Sequence, residues 1–399
     1  MIEHFLALTP VEAIQTGEIK PKGDYLGTRG YIPGSVLRGA LAEWLKAQDK
    51  ASQILPIVQQ IRFGNLFPSV SEAVWTLPFP MTAMECKLHS GFREVPLGDA
   101  RNAGHGIRDS LLIALAYAEL ERSGARFPVP RLLRCTFRDK DGKPCGGRME
   151  RVGGFYAKLP EGWKKVSIPR AVQTKVALSR YRRASQEQML YRVVALRPQG
   201  VFVGRVWTDD PDILDVLREA VQNMGVGALT TRGFGTASLR ESDVRFPTID
   251  KRLRTFNEKL REVWHDLAEL TKQVGSSVSD EPEKTYFSVD LLSPAIFTDP
   301  SGIPTLKLRL QLNGTCLEPV WWATQPVFVG GFSTAWGMPK PTALGAAMGS
   351  VYVFRIEQTE NEIIPALKNI ETQGVGRRSD EGLGEILICH PFHEEVMLV

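Results

Sequence analysis

Residues 225–235 read GVGALTTRGFG, and residues 374–384 read GVGRRSDEGLG. Both segments follow one pattern, which is GVG, five further residues, and then a glycine, an apolar residue and a glycine. The two copies lie 149 residues apart, and Gly200 and Gly349 match at the same offset, so five glycines fall in register. Self-similarity at a fixed spacing indicates a duplicated structural unit.

The same predicted elements flank each glycine-rich segment. A run typical of a β-strand comes first, VFVGRVW or SVYVFRI, and a helical pattern follows, PDILDVLREAVQNM or NEIIPALKNIET. After each segment comes another apolar run, TASL or EILIC. The order strand, helix, glycine-rich loop, strand therefore occurs twice and predicts two related α+β domains.

The loop glycines admit two interpretations. Glycine permits positive φ angles and lets backbone N–H groups approach a phosphate with no Cβ in the way, but helix C-caps and tight turns also require it. A dinucleotide fingerprint has its glycines between a strand and the next helix, the reverse of this order, and no GxxxxGK[ST] occurs, so we expect no nucleotide cofactor. The duplication in register, with arginines in both copies, favours contact with a phosphate backbone through Arg232, Gly233, Gly235, Gly374, Gly376, Arg377, Arg378, Gly382 and Gly384.

A further signal lies near the amino terminus, where residues 30–45 read GYIPGSVLRGALAEWL. Pro33 and Gly34 predict a turn, and Ser35 is a suitable N-cap for an amphipathic helix. Arg38 falls in the first turn of that helix. Taken locally, this is an ordinary capped helix with a solvated arginine.

These segments together resemble the RAMP superfamily of CRISPR-associated proteins. IPGSVLRGAL looks like the family's opening strand-to-helix motif, and GGFSTAWGMPKPTALGAAMGSVYVF, residues 330–354, is similar to the later half of the large two-domain subunits of type III effectors. The opening, the stretch SRYRRASQEQMLYRVVAL and the cysteine-bearing insertion most resemble the type III-D subunit that caps the 5′ handle of the guide RNA. The resemblance implies two ferredoxin-like, RRM-like domains.

The resemblance also implies a non-catalytic RNA-binding subunit. Such a protein would hold the repeat-derived 5′ handle of the crRNA and contact the large signalling subunit and the backbone subunits, with target RNA as an indirect partner. We expect a first domain at 1–248 with an insertion at about 80–165, a helical linker at 249–283 and a second domain at 284–399. The linker's apolar residues recur at helical spacing, so it should pack on a domain or a partner.

Residues 164–183, KKVSIPRAVQTKVALSRYRR, contain seven basic residues and no acidic one, in a chain of net charge +4. Such a run is often only a solvated face, but phosphate affinity is mostly electrostatic, and tyrosines in or near it, Tyr181 and Tyr191, offer surfaces for stacking on unpaired bases. The residues predicted to contact RNA here and in weaker positions elsewhere are Lys175, Arg180, Tyr181, Arg182, Arg183, Arg38, Trp336 and Lys340.

The insertion contains cysteines and histidines in a pattern that suggests a metal site. CKLH has two residues between its cysteine and its histidine, which is a common ligand spacing, whereas nine residues separate the second cysteine pair. The sequence predicts a structural Zn²⁺ held by three cysteines and one of two histidines; the alternative is buried free thiols with a surface histidine. The candidate ligands are Cys86, His89, His105, Cys135 and Cys145, whereas Cys316 and Cys389 lie in apolar runs and are predicted to be core.

A RAMP endoribonuclease that processes pre-crRNA or cuts target RNA is the alternative function. Nuclease chemistry needs clustered carboxylates for metals or a positioned acid/base pair. The candidates are Asp24, His4, His390 and His393, and none has a recognisable catalytic partner in the sequence. Asp209, Asp210 and Asp212 cluster at a predicted helix start, where acids favour the helix dipole.

Composition sets the broad class. With 43% hydrophobic and 24% charged residues, the 399-residue chain can bury a core, which excludes wholesale disorder. The amino terminus has no signal-peptide pattern, and apolar runs are interrupted early, so we expect a cytoplasmic protein without a membrane partner.

Overall fold

The computed structural model describes residues 1–17, 25–92, 104–128, 134–138, 142–179, 181–276, 278–333 and 337–395, and only the backbone of 186–189. The described part is α+β. No helix within it is long and apolar enough to cross a membrane.

The first half of the chain contains strands and helices in alternation. Its helices are α1 (Gly34–Ala47), α2 (Ile54–Val58), α3 (Leu111–Arg122) and α4 (Asp212–Met224). Its strands are β1 (Ile2–Pro10), β2 (Tyr25–Leu26), β3 (Ile61–Ser69), β4 (Leu77–Pro78), β5 (Ala83–Cys86), β6 (Ile107–Asp109), β7 (Met149–Arg151), β8 (Phe155–Leu159), β9 (Gly162–Val166), β10 (Arg170–Ser179), β11 (Ala184–Leu196), β12 (Val201–Thr208) and β13 (Ala237–Glu241).

The second half begins with a long helix. Its helices are α5 (Ile249–Lys272) and α6 (Glu360–Gln373). Its strands are β14 (Thr285–Leu291), β15 (Phe297–Thr298), β16 (Pro304–Thr305), β17 (Leu310–Leu312), β18 (Thr315–Leu317), β19 (Trp321–Ala323), β20 (Pro326–Ser333), β21 (Met338–Ala346), β22 (Val351–Ile356) and β23 (Ile386–Ile388).

Each half is organised around a four-stranded antiparallel sheet. The order is β13-β1-β12-β3 in the first half and β19-β22-β14-β23 in the second. In both sheets the last strand lies beside the first, and the third lies between the first and the second. The repeated glycine-rich segments, each opening at the end of α4 or α6 and closing before β13 or β23, therefore occupy equivalent places in the two halves.

The core of the first half lies between its sheet and two helices. Helix α1 buries Leu37, Leu41 and Leu45 at a spacing of four residues, and α4 packs beside it. The helix begins at Gly34, with Pro33 as the extended residue before it, so the N-cap predicted at Ser35 is wrong by two residues. Its first amide donates to the side-chain oxygen of Asn65 on β3, at 3.1 Å, so the cap comes from the sheet.

Helix α5 belongs to the core of the second half. Its apolar stripe, which includes Leu253, Phe256 and Leu260, packs in one cluster with Phe287 of β14 and Phe354 of β22. Helix α6 and helix α3 of the insertion both contact α5. The stripe that predicted packing is thus buried within the same chain.

A buried ionic network joins the two halves. Arg205 of β12 is 1% exposed and donates to the carboxylate of Glu385 at 3.2 Å and to that of Glu371 at 3.3 Å, both in the second half. Arg252 of α5 donates to the same Glu371 at 3.0 and 3.1 Å. Burial would raise the pKa of Glu371, but the guanidinium groups of Arg252 and Arg205 lower it below its usual value.

Candidate nucleic-acid interface and metal centre

The hairpin of β10 and β11 carries most of the basic segment that was predicted to bind RNA. Its turn places Tyr181 almost wholly in solvent, at 96% exposure. Arg182 and Arg183 are exposed beside it. Arg180 lies outside the described residues. The tip therefore presents an aromatic ring and two cations together, and their contact with RNA stays a prediction.

The base of this hairpin packs on the first glycine-rich loop. Lys175 and Tyr191 are opposite each other in the strand register. The ammonium group of Lys175 lies 4.5 Å from the ring centroid of buried Phe234, and Arg232 donates to the hydroxyl of Tyr191 at 3.2 Å. Hairpin and loop thus form one continuous surface, from here on the hairpin–loop surface, made of Lys175, Tyr181, Arg182, Arg183, Tyr191 and Arg232.

The loop glycines have a structural role in both copies. A Cβ on Gly384 would stand 1.7 Å from the carbonyl oxygen of Val375, and a Cβ on Gly235 would meet the equivalent carbonyl at 2.4 Å. The amides of Gly235 and Gly384 donate to the carbonyl oxygens of Ala13 and Pro294, each at 2.9 Å. Because these two amides are bonded within the protein, they shape the loop and are not free to bind a phosphate, contrary to the prediction.

The start of the second loop is similar. The amide of Gly374 donates to Ile370 at the end of α6, at 2.7 Å, which makes it a helix C-cap. The amide of Arg377 donates to Ile296 at 3.0 Å, while its side chain and Gly376 are exposed. Among Gly374, Gly376 and Arg377, only Arg377 has a charged side chain, and that side chain is exposed to solvent.

Three other predicted RNA contacts are paired with carboxylates. Arg38 bonds Asp380 at 3.1 Å, Lys340 bonds Glu381 at 2.9 Å, and Arg378 bonds Glu381 at 2.5 Å. Burial would raise the pKa of Glu381, but hydrogen bonds from Arg378 and Lys340 lower it, so this carboxylate is ionised. These three cations are therefore not free, in contrast to the expectation from sequence. Trp336 lies outside the described residues.

A cleft of about 490 Å³ lies where the second loop meets the first half. Arg29 and Arg170 line one wall, and Arg378 lines the other, together with Phe328, whose ring is 65% exposed. Guanidinium groups suit phosphates and exposed rings suit unstacked bases. No sequence signal pointed to Arg29 or Phe328, because they become neighbours only when the two halves pack.

The insertion brings four of the five predicted metal ligands together. The ligand atoms of Cys86, His105, Cys135 and Cys145 all lie within 4.8 Å of one another. The sulfurs of Cys86 and Cys145 are 3.8 Å apart, too far for a disulfide, and the sulfur of Cys135 is 3.4 Å from Nδ1 of His105. Zinc–sulfur bonds of about 2.3 Å in a tetrahedron place two sulfurs about 3.8 Å apart. This cluster could therefore hold a metal such as zinc.

Two residues next to the cluster, Gly147 and His89, have positions compatible with a metal site. A Cβ on Gly147 would meet the sulfurs of Cys86 and Cys145 at 3.1 and 3.2 Å, so glycine at this position avoids crowding the two sulfurs. His89 stands outside the cluster and stacks its ring on that of His105, with centroids 4.1 Å apart. Of the two histidines left open by the sequence, His105 is the one that joins the cysteines.

The remaining cysteines differ from each other. Cys389 is 2% exposed, in agreement with its predicted place in the core. Cys316 lies on β18 and is exposed, so that part of the prediction is wrong. The strand is only three residues long and one of its faces is open to solvent, which the apolar run alone could not reveal.

The histidines considered for acid/base catalysis are buried in structural contacts. His393 is 1% exposed and lies between the carboxylates of Asp109 and Asp290; His390 is 2% exposed and contacts the hydroxyl of Tyr156 at 3.2 Å. A general base must reach the proton that it removes, and these rings do not reach the surface. Asp24 lies outside the described residues, and His4 is half-buried on β1.

The clustered aspartates lie at a helix start, as predicted. Asp212 is the first residue of α4, and its amide donates to the carboxylate of Asp210 at 3.0 Å. Asp209 pairs with the amino group of Met1 at 3.1 Å. These contacts are those of a cap and a surface pair.

Solved structures of type III CRISPR complexes contain similar chains. One is in a cryo-EM structure of the Type III-B Cmr-beta bound to cognate target RNA, with 13% identity, a TM-score of 0.40, and coverage of 92% of this chain and 89% of that one. Another is in a crystal structure of a Csm3-Csm4 subcomplex in the type III-A CRISPR-Cas interference complex, with 13% identity, a TM-score of 0.32, and coverage of 88% and 92%. Both TM-scores lie below 0.5.

No curated protein matches the chain. A family model does: residues 170–391, more than half of the chain, match the family described as CRISPR-associated protein (Cas_Cmr3). The matched range holds the hairpin, both glycine-rich loops and the second sheet. The chain belongs to the Cmr3 family of CRISPR-associated proteins.

Proposed function

We propose that this protein is a non-catalytic RNA-binding subunit of a type III CRISPR effector complex. It holds the 5′ handle of the crRNA and bridges the large signalling subunit to the backbone subunits, in the cytoplasm, in antiviral defence. Each half is a ferredoxin-like RAMP domain, at 1–248 and 284–399, joined through 249–283. The observation that carries the proposal is the hairpin–loop surface, where cations and tyrosines lie side by side.

The chemistry of this surface favours single-stranded RNA. Lys175, Arg182, Arg183 and Arg232 supply phosphate contacts, and the exposed ring of Tyr181 supplies a stacking platform. The interdomain cleft, with Arg29, Arg170 and Phe328, offers a second contact of the same kind. A handle that crosses both places would touch both domains, which suits a subunit that holds one end of an RNA in a defined path.

Reversing the charge at the hairpin tip should weaken RNA binding. We expect Arg182→Glu with Arg183→Glu to lower the affinity of the purified full-length protein for labelled repeat-derived RNA at least tenfold near 0.1 M salt. The slope of log affinity against log salt should flatten by about 1.4, because each phosphate of a single strand that is no longer neutralised accounts for about 0.7. Fluorescence anisotropy across a salt series measures both quantities.

The matched control is Lys251→Glu with Arg254→Glu, which reverses two exposed charges on α5, away from the hairpin. Equal weakening by the two double variants would mean that net charge alone drives binding, and the proposed surface would be rejected. Gel analysis of the same tubes, with Mg²⁺ or EDTA, reports on the RNA itself. Cut RNA would favour the endoribonuclease alternative, with Asp24 and His4 as the first residues to replace.

The Cys86, His105, Cys135 and Cys145 cluster holds a structural Zn²⁺ in this proposal. A zinc ion bound there would tie the insertion's strands together and, with four protein ligands, would have no open position for catalysis. We expect about one zinc per chain by elemental analysis, and less than a third of that in Cys135→Ser. The variant should also lower the thermal unfolding midpoint by several degrees, because metal binding adds to folding free energy.

The control is Cys316→Ser, which removes an exposed thiol that is not part of the cluster and should change neither the zinc content nor the midpoint. Replacing His89 by glutamine should leave most of the metal in place, whereas His105→Gln should release it. The metal site would be refuted by zinc-free protein that folds normally, or by equal zinc content in all four variants.

A further inference from the structure

The two glycine-rich loops correspond residue by residue, yet their tips differ in chemistry. Each tip is a short 3-10 turn preceded by a left-handed residue, Leu229 at φ 64° or Arg378 at φ 62°. The first turn is Thr230–Arg232, and the equivalent second turn is Ser379–Glu381. Two threonines and a cation in one copy are thus replaced by a serine and two acids in the other.

The second tip is packed against the first half of the chain. A Cβ on Gly382 would meet the Cα of Gly34 at 3.1 Å and the carbonyl oxygen of Phe63 at the same distance. Beside this contact, Asp380 pairs with Arg38 of α1. The second loop therefore makes both a close backbone contact and an ion pair with the start of α1.

The first tip makes no such contact within the described residues. A Cβ on Gly233, which is equivalent to Gly382, would have nothing within 4 Å. Thr231 and Arg232 are exposed around it. The two glycines have nearly the same backbone, with φ of 78° and 81°, so the difference between them is one of packing.

We infer that the duplicated loops have divided two tasks between them. The second loop is a clasp that joins the domains, in which Gly382 and Asp380 are positioning residues for one wall of the interdomain cleft. The first loop is the copy left free for a ligand with phosphate groups. The ligand role of the first loop rests on the proposed function, whereas the clasp does not.

The equivalent glycines provide the test of the clasp. Alanine at either position carries the same cost of a left-handed backbone, but only Gly382→Ala adds a methyl group against another backbone. We expect Gly382→Ala to lower the thermal unfolding midpoint by roughly 3 to 8 °C more than Gly233→Ala. Hydrogen exchange should also quicken at 378–384 and at 34–38 in the first variant alone.

A charge swap tests the pairing without changing backbone strain. Asp380→Arg places a cation against Arg38, so exchange at the clasp should quicken; adding Arg38→Asp should restore at least half of the protection. Equal midpoints for the two glycine variants, or no rescue by the swap, would overturn the clasp. Neither readout involves RNA, so this result stands apart from the proposed function.

The free loop is tested with RNA. Thr231→Lys occupies the position equivalent to Asp380 and adds one cation to an exposed tip, so it should tighten binding of repeat-derived RNA about two- to fivefold at 0.1 M salt, without moving the unfolding midpoint. Unchanged or weaker RNA binding would remove the first loop's ligand role while leaving the clasp intact. If the Arg182/Arg183 variant also fails to weaken binding, the proposed function itself is at fault.

Discussion

Replacing Arg205 with methionine should lower the free energy of unfolding by about 3 to 5 kcal/mol. The side chain is buried at the contact between the halves, and Glu385, its partner there, is 0% exposed. Without the guanidinium group, the buried Glu385 carboxylate would lose the cation that it is hydrogen-bonded to, which costs far more than the pair itself contributes. Methionine keeps much of the volume, so the destabilisation should come from charge rather than from a cavity.

A second substitution separates these causes. Because Glu385 also accepts the amide of Asn65 at 3.0 Å, glutamine at position 385 can retain that bond through its carbonyl oxygen while removing the charge. Adding Glu385→Gln to Arg205→Met should therefore recover at least a third of the stability that the single variant lacks. Urea denaturation of the single and double variants measures the recovery.

The control is Arg218→Met on α4, which breaks an exposed pair with Asp215. Exposed pairs contribute about 0.2 to 1 kcal/mol, so the free energy of unfolding of this variant should remain close to that of the parent. If Arg205→Met lowered the free energy of unfolding no more than Arg218→Met does, the buried Arg205 network would not be needed to hold the halves together. Destabilisation in the first variant should also open the cleft, because its two walls come from different halves.

The sequence predicts the elements whose signals are local. Each copy of the glycine pattern, at 225–235 and 374–384, spans only eleven residues, and its recurrence indicates the order of strand, helix and loop around it. The basic hairpin and the cysteine-bearing insertion are equally visible, because charge and ligand chemistry can be read without knowing the fold. The α+β architecture and the Cys/His cluster are borne out by the structure, whereas RNA binding by the hairpin stays a prediction.

The rest depends on contacts between distant residues. Arg205 and Glu385 are 180 positions apart, and nothing in either neighbourhood indicates that they meet. Arg38 and Arg378 are predicted to contact RNA because arginine in a glycine-rich or opening motif suits phosphate. The sequence does not show that each is paired with a carboxylate, Arg38 with Asp380 of the other half and Arg378 with Glu381. The choice of His105 over His89 has the same origin, since the sequence alone does not show which of the two rings lies beside the sulfur of Cys135.

Replacing His393 should also lower the free energy of unfolding strongly, and the size of this effect should depend on pH. Both ring nitrogens contact carboxylates, Nδ1 that of Asp109 and Nε2 that of Asp290 at 2.9 Å. Because a carboxylate only accepts, both nitrogens must donate, so the ring is an imidazolium. Burial alone would lower the pKa of His393, but Asp290 and Asp109 raise it to about 10.

The sign of the pH dependence follows from that pKa. A histidine with a raised folded-state pKa adds stability that is fully present below about pH 6.5, its unfolded value, and is lost as the pH rises towards 10. On the acid side, burial would raise the pKa of Asp290, but His393 lowers it; stability from this carboxylate is present above its unfolded pKa and is lost as the pH falls through the folded one.

His393→Gln should therefore lose about 3 to 5 kcal/mol at pH 7, because it leaves two buried carboxylates without their cation. The parent's stability should decline between pH 7 and pH 10, and the variant's should stay nearly level, since its titrating group is gone. Urea denaturation at intervals of one pH unit measures both curves, with His265→Gln, an exposed change on α5, as the control. Parallel curves for parent and variant would show that His393 is neutral in the folded protein. In that case only one ring nitrogen would donate, and one of the two aspartates that link the insertion to the second sheet would have to carry a proton.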